Sequence, residues 1–133
     1  MSALLPDTHA IVWYLLQSER LSSSALDRIE KVIAQGDSIY ISSISLAELV
    51  YLVEKGKVPE IALERLVVAL EDAQSEIACI PFDFRIAQAL RRIPRDRVAD
   101  MPDRIIAATA LHLGIPLITR DRMIRAAGLD SVW

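Results

Sequence analysis

Residues 38–56 read SIYISSISLAELVYLVEKG, and this stretch decides the fold class. Its first part, residues 38–41, is rich in β-branched and aromatic side chains, which predicts a short buried strand. Its second part, residues 45–55, changes to apolar residues at helical spacing and stops at Gly56, a residue that suits the end of a helix. A strand followed directly by an amphipathic helix is the repeating unit of a parallel sheet.

The same alternation continues on both sides of this stretch. Short apolar runs predict further strands at residues 3–5, 76–80 and 116–119. The expected fold is therefore α/β: one domain over residues 1–133, with three layers in which helices flank a mostly parallel sheet of four or five strands. The helices are expected at residues 10–17, 21–35, 45–55, 59–73, 83–93, 102–113 and 121–127.

The 133-residue chain is long enough to bury its own core, and its single cysteine excludes a disulfide framework. Cys79 lies in an apolar run and is expected to be a small buried residue. Residues 1–6 lack the basic region and long apolar core of a signal peptide, so a cytoplasmic setting without a membrane span is expected. A hydrophobic share of 53% predicts surface reserved for a partner or for a second copy in a homodimer.

The net charge of −3 hides an uneven distribution along the chain. Residues 1–84 carry an excess of acidic side chains, whereas residues 85–125 contain nine arginines against four aspartates. An arginine-rich segment can attract phosphate, although a solvated helix face is an alternative that composition leaves open. The sequence pI near 5.3 argues against tight nonspecific binding to duplex DNA.

Acidic side chains follow the predicted strands where a parallel sheet has its ligand sites. Asp7 follows the first strand, and Asp121 follows the last. Glu48 and Asp103 lie near the starts of two predicted helices. Because the carboxyl ends of parallel strands meet at one edge, these acids are expected to converge. Converging carboxylates repel one another, and a hard divalent cation such as Mg²⁺ or Mn²⁺ offsets that repulsion.

Each of these acids also has a purely structural explanation. Ser45 and Glu48 have the spacing of a capping box, in which Glu48 would fix a helix end. Asp103 and Asp121 suit the first turn of a helix, where the helix dipole favours negative charge, and Asp7 suits an N-cap. Capping does not explain why all four acids should occupy the same edge of one sheet. Spacing alone leaves both interpretations open.

Four stretches occur in an order and at separations that form a specific pattern. They read LLPDTHAIVW at residues 4–13, ISSISLAEL at 41–49, DMPDRIIAATA at 100–110 and LITRD at 117–121. In these stretches the chain resembles the PIN-domain ribonucleases, and most closely the VapC-type toxins of bacterial and archaeal toxin–antitoxin pairs. The resemblance covers almost the whole chain. It implies a PIN-like fold, RNA as the substrate and a VapB-type antitoxin as the partner.

The resemblance assigns catalytic and metal-binding roles to four acids. Asp7 and Asp103 are the expected direct ligands of Mg²⁺ or Mn²⁺, and Asp100 and Thr119 fit supporting places beside them. The implied reaction is hydrolysis of an RNA phosphodiester by metal-activated water, without a covalent protein intermediate. One departure from the family pattern is Pro6, which removes an amide donor directly before the first acid and is expected to shift that acid slightly. The four acids are Asp7, Glu48, Asp103 and Asp121.

The antitoxin implied by the resemblance would have a defined place on the chain. It is expected to lay an apolar helix or an extended tail along the helices around residues 45–73. It is also expected to send a basic side chain toward the acids. The high hydrophobic content of the chain is consistent with such a partner.

Three other functions compete with a metal-dependent ribonuclease. Histidine catalysis is disfavoured, because His9 is expected to pack or to form a hydrogen bond near the first loop and His112 suits the end of a helix. Trp13 and Trp133 are expected in the core or an interface. A phosphorelay receiver is also disfavoured. It needs a lysine near its last strand, and the three lysines of this chain all precede residue 58. A catalytically silent PIN-like RNA- or protein-binding module stays open, because the acids can persist as helix caps.

Overall fold

The computed structural model describes residues 3–133. Residues 1–2, which belong to the segment expected not to be a signal peptide, lie outside the described residues. Among the helices of residues 3–133, none is long and apolar enough to cross a membrane. The strands of this part are β1 (Leu5–Pro6), β2 (Ile39–Ser42), β3 (Ile77–Ile80), β4 (Leu117–Ile118) and β5 (Ser131–Val132). The helices are α1 (Thr8–Leu15), α2 (Ser23–Ala34), α3 (Ser43–Glu54), α4 (Glu60–Glu71), α5 (Phe84–Ala89), α6 (Met101–Leu113) and α7 (Arg122–Ala126), with a 3₁₀ turn at Leu90–Arg92.

Every strand pair in the described part of the chain is parallel. β2 pairs with β3, and β4 lies between β1 and β5. A bridge between Leu4 and Ile39 joins the two groups, which gives the spatial order β3-β2-β1-β4-β5. Along the chain, β2 and β3 are thus added on one side of β1, and β4 and β5 are then added on its other side. The carboxyl ends of β1 and β4 meet where this direction changes, which is the usual place for a ligand site in such sheets.

Pro6 explains why the pairing between β1 and β2 is so short. Successive residues of a parallel strand direct their hydrogen bonds to opposite neighbours. Leu4 faces β2, and its carbonyl accepts from the Tyr40 amide at 2.8 Å. Pro6 faces the same way but has no amide to donate, so the ladder toward β2 stops. The Asp7 amide faces β4 and keeps its ladder bond to the Ile118 carbonyl at 2.9 Å.

Helices cover both faces of the sheet and produce the three layers expected from the sequence. Leu4 and Leu5 are adjacent and fully buried, yet they belong to different core clusters because neighbouring strand residues point to opposite faces. Leu4 packs with residues of α1, α2, α3 and α4, whereas Leu5 packs with residues of α5, α6 and α7. The predicted α/β architecture with a mostly parallel sheet is confirmed, and the sheet has five strands in residues 3–133.

Helix α3 begins earlier than the sequence pattern suggested. Its N-cap is Ser42, whose hydroxyl oxygen accepts from the Ile44 amide at 3.2 Å. Ser45 therefore lies inside the helix, and the capping box between Ser45 and Glu48 is not formed. Glu48 lies in the second turn of α3 and makes its side-chain contact with another helix.

Two features at the edges of the sheet differ from what the sequence predicts. Cys79 is exposed, so the prediction of a buried residue was wrong. The reason is that β3 is an edge strand, bonded only to β2 within residues 3–133, and this side chain lies at the margin of the core. The sequence analysis allowed a fifth strand but did not locate β5, because two residues carry no usable periodicity.

Candidate active site

Asp7 is fixed at the point where β1 gives way to α1. Its amide donates to the Ile118 carbonyl at 2.9 Å, and its carboxylate accepts from the Ala10 amide at 2.9 Å as the N-cap of α1. The residue is only 9% exposed. Backbone hydrogen bonds on both sides therefore hold a nearly buried carboxylate at the carboxyl edge of the sheet.

Glu48 reaches the same edge from α3. The Thr8 hydroxyl lies 2.5 Å from Glu48 Oε1 and 3.0 Å from Ser45 Oγ. Since Thr8 has a single hydroxyl proton, it donates to the ionised carboxylate and accepts from Ser45. Thr8 and Ser45 are both buried. The orientation of Glu48 thus depends on a buried hydrogen-bonded pair that joins α1 to α3.

Asp103 lies in the first turn of α6, beside a second acid. Asp100 is the N-cap of this helix, and its carboxylate accepts from the Asp103 amide at 3.1 Å. Pro102 also lies in the first turn, where the missing amide proton has no helical partner to lose. The two acids are consequently one turn apart, with Asp103 half-buried and Asp100 exposed.

Thr119 and Asp121 complete the edge after β4. Thr119 is fully buried; its oxygen accepts from the Asp121 amide at 3.0 Å, and its hydroxyl donates to the Asp7 carboxylate. Asp121 is the N-cap of α7 and accepts from the Met123 and Ile124 amides at 2.8 and 3.2 Å. A single hydroxyl thus connects the acid after β1 with the acid after β4.

The four acids selected from the sequence line one cavity of about 500 Å³, together with Asp100. Thr119 lies behind its wall. Thr8 and Arg120 were not predicted as site residues, although Thr8 directly follows Asp7 and Arg120 directly precedes Asp121. His9, expected to pack or to form a hydrogen bond near the first loop, is exposed, and its ring centroid lies 5.8 Å from that of Trp13. The residues that line the cavity are Asp7, Thr8, His9, Trp13, Glu48, Asp100, Asp103, Arg120 and Asp121.

Burial and mutual repulsion make ionised carboxylates unfavourable in this cavity. Burial, followed by the negative charges of Asp100 and Glu48, raises the pKa of Asp103 from 3.8 to about 7. Burial also raises the pKa of Asp7, although the hydrogen bond from Thr119 opposes the change. The pKa of Glu48 is raised by burial as well. The cavity therefore holds more negative charge than its own hydrogen bonds compensate.

A hard divalent cation fits this set of donors chemically. Carboxylate oxygens are the ligands that Mg²⁺ and Mn²⁺ prefer, and a cation removes the repulsion that raises the pKa of these acids. In residues 3–133, as they are arranged, no group of three or more His, Cys, Asp or Glu side chains could by itself hold a metal ion. The catalytic and metal-binding roles of the carboxylates stay predictions.

A model of the PIN domain family matches residues 4–129. The chain belongs to the PIN domain family. Ribonuclease VapC22 of Mycobacterium tuberculosis (strain ATCC 25618 / H37Rv) is 29% identical to this PIN domain over 126 residues, which is 95% of this chain and 92% of that protein. The family assigned from the four sequence motifs is therefore confirmed.

Solved structures have the same fold as this PIN domain. A chain of VapBC2 from Rickettsia felis, bound to a promoter DNA fragment, matches with a TM-score of 0.72 and 23% identity over 98% of this chain and 97% of that chain. DNA-bound VapBC from Salmonella typhimurium gives 0.68 and 23% over 99% and 98%. A toxin–antitoxin complex from Klebsiella pneumoniae gives 0.66 and 24% over 99% and 97%. At these identities the likeness establishes the fold alone.

Proposed function

We propose that residues 1–133 form one PIN domain that acts as a divalent-metal-dependent endoribonuclease, the toxin of a type II toxin–antitoxin pair. The observation that carries the proposal is the convergence of five carboxylates in one cavity at the carboxyl edge of a parallel sheet. Helix capping alone does not explain that convergence. Similarity to a named ribonuclease over 95% of the chain supports RNA as the substrate, and an RNA substrate agrees with the predicted cytoplasmic location.

In the proposed reaction the acids hold the cation and the positioning residues hold the acids. Asp7 and Asp103 would bind Mg²⁺ or Mn²⁺, with help from Glu48 and Asp121. When bound, the cation supplies an activated water molecule and neutralises negative charge at the scissile phosphate. No side chain of the cavity needs to form a covalent bond with RNA.

Three polar residues position the acids. Thr8 donates to Glu48, and Thr119 donates to Asp7, so each hydroxyl fixes one carboxylate. Asp100 holds the first turn of α6 through a backbone amide. Partners of this kind typically change metal affinity or activity by about 10- to 100-fold when they are replaced.

A catalytically silent RNA- or protein-binding module is the second candidate, because Asp7, Asp100 and Asp121 do cap helices. The deciding experiment incubates purified protein, freed of any partner, with total cellular RNA, with and without Mg²⁺ or Mn²⁺, and maps the new RNA ends. Cleavage at discrete internal positions is expected only when metal is present. RNA binding without cleavage under every condition would favour the silent module.

The partner proposed for this chain is a VapB-type antitoxin, bound on the outer side of α3 and α4. These helices expose Val50, Tyr51, Ile61 and Val68 at 37%, 56%, 42% and 68%. We call these four residues the α3–α4 apolar surface. An apolar helix or tail can cover such a surface, and the toxin–antitoxin complex among the related structures supports a protein partner. The predicted homodimer stays a separate proposal, which the mass of the purified protein in solution tests.

Replacement of Val68 by glutamate is expected to abolish co-purification with the product of the adjacent upstream gene. A buried, unpaired carboxylate in the interface would weaken binding by at least about 30-fold, or roughly 2 kcal/mol. The matched control is Met123→Glu. Met123 is 56% exposed and lies on α7, a helix that packs on the other face of the sheet. Both variants should keep the wild-type melting temperature. Retention of the partner by Val68→Glu would exclude this surface.

A further inference from the structure

Arg120 differs from every other residue that lines the acidic cavity. It is the single arginine or lysine among them, and it lies between Thr119 and Asp121 after β4. The centre of its guanidinium group lies 4.9 Å from the Trp13 ring centroid, a cation–π geometry. A positive charge is thus held at a defined place on the wall of a cavity that otherwise carries negative charge.

The Trp13 ring is itself firmly supported. Trp13 is only 8% exposed, and Trp133 packs against it edge-on with the ring centroids 5.8 Å apart. Trp133 directly follows β5, and the Thr119 amide donates to the Val132 carbonyl at 3.1 Å. The segment that carries Arg120 and the ring on which it rests are therefore both fixed by residues 131–133.

The guanidinium group of Arg120 is available for a ligand. Its partner is the Trp13 ring, and no carboxylate within residues 3–133 pairs with it. Other arginines of the same region are used by the fold: Arg104 donates to the Leu90 carbonyl at 2.8 Å, and Arg97 donates to the Ala126 carbonyl at 3.1 Å. A ring held against one face of a guanidinium leaves its edge, where the N–H donors lie, open to an acceptor.

We propose that Arg120 binds a phosphate of the RNA backbone at the wall of the acidic cavity, with Trp13 and Trp133 as the aromatic support that positions it. The inference rests on the proposed ribonuclease function. An RNA strand that approaches five carboxylates meets repulsion on most of the wall, and Arg120 offers the planar pair of donors that phosphate oxygens accept. Arg120 thereby selects the path by which the strand enters.

The test measures RNA cleavage and RNA binding for Arg120→Gln, Arg120→Lys and Arg125→Gln. For Arg120→Gln, KM is expected to rise about tenfold with little change in kcat, because one charge-assisted phosphate contact is lost. Binding of a labelled single-stranded RNA oligonucleotide, measured in the Asp103→Asn background, should lose about 0.7 from the slope of log affinity against log salt. Arg120→Lys should restore the slope. Arg125→Gln removes an exposed arginine outside the cavity and should match the parent protein.

A double-mutant cycle tests the aromatic support. Trp133→Ala should raise KM less than Arg120→Gln does, and the double variant should be no worse than Arg120→Gln alone, because both changes disable the same contact. An unchanged salt slope and KM for Arg120→Gln, in a preparation whose wild type cleaves RNA, would overturn this inference and leave the proposed function intact. If the wild type neither cleaves nor binds RNA, the proposed function falls and the inference falls with it.

Discussion

Replacement of Asp103 by asparagine is expected to reduce RNA cleavage by more than about 100-fold, or roughly 3 kcal/mol of activation free energy. Asparagine keeps the size of the side chain and its place in the first turn of α6, but it removes a negative ligand from a cation that neutral amides hold poorly. Asp7→Asn should behave in the same way, whereas Glu48→Gln should retain more activity if Glu48 orients water rather than binding metal directly.

The same Asp103→Asn substitution should not lower the stability of the metal-free protein. Burial and the neighbouring carboxylates raise the pKa of Asp103 to about 7, so its ionised form is destabilising in the folded state at higher pH. Removal of that charge should leave the melting temperature at pH 8 equal to or slightly above that of the wild type. The gain is limited because Asp103 is half-exposed and water screens its repulsion.

Asp130→Asn is the matched control for this experiment. Asp130 is exposed and precedes β5, which places it at the amino edge of the sheet, away from the cavity. The Asp130→Asn variant should cleave RNA at the wild-type rate. Wild-type activity in Asp103→Asn would show that the assignment of Asp103 is wrong. Loss of activity that accompanies unfolding would instead make Asp103 a structural residue of the α6 N-terminus.

The sheet and the position of its acids were predictable because both follow from local patterns. Apolar runs alternate with amphipathic helices, and a parallel arrangement of such units brings the residues after each strand to one edge. Asp7 and Asp121 follow β1 and β4, which lie side by side in the sheet. The pairing of β1 with β4, which brings these two acids into one cavity, was not predicted, because strand order depends on contacts between distant segments.

Features that depend on contacts between distant segments were not predictable in this way. Three serines in residues 42–45 offered several starts for α3, and Ser42 rather than Ser45 caps it. The exposure of Cys79 depends on β3 being an edge strand, which the composition of β3 does not specify. The contact between Trp13 and Trp133 joins opposite ends of the described chain, and no periodicity relates the two positions.

Removal of divalent metal with EDTA is expected to abolish cleavage, and excess Mg²⁺ or Mn²⁺ should restore it.

The stability of the metal-free protein should also have a distinctive pH dependence. Asp103 has a pKa of about 7 in the folded state against 3.8 as its ordinary value, so the folded state binds more protons between these limits. The free energy of unfolding should therefore fall as the pH rises from about 4 to about 7, and this contribution should be constant above that range. The raised pKa values of Asp7 and Glu48 act in the same direction.

Mg²⁺ should reverse this loss of stability, and more strongly at pH 8 than at pH 5.5. Protons compete with the cation for Asp103 below pH 7, so metal binding is weaker when the carboxyl group is protonated. Thermal unfolding at both pH values, with and without excess Mg²⁺, measures the difference through the shift in melting temperature. NaCl at matched ionic strength controls for simple screening, and Asp103→Asn should flatten the pH dependence. An equal shift at both pH values, or the same shift with NaCl alone, would mean that the acids form a screened cluster and not a metal site.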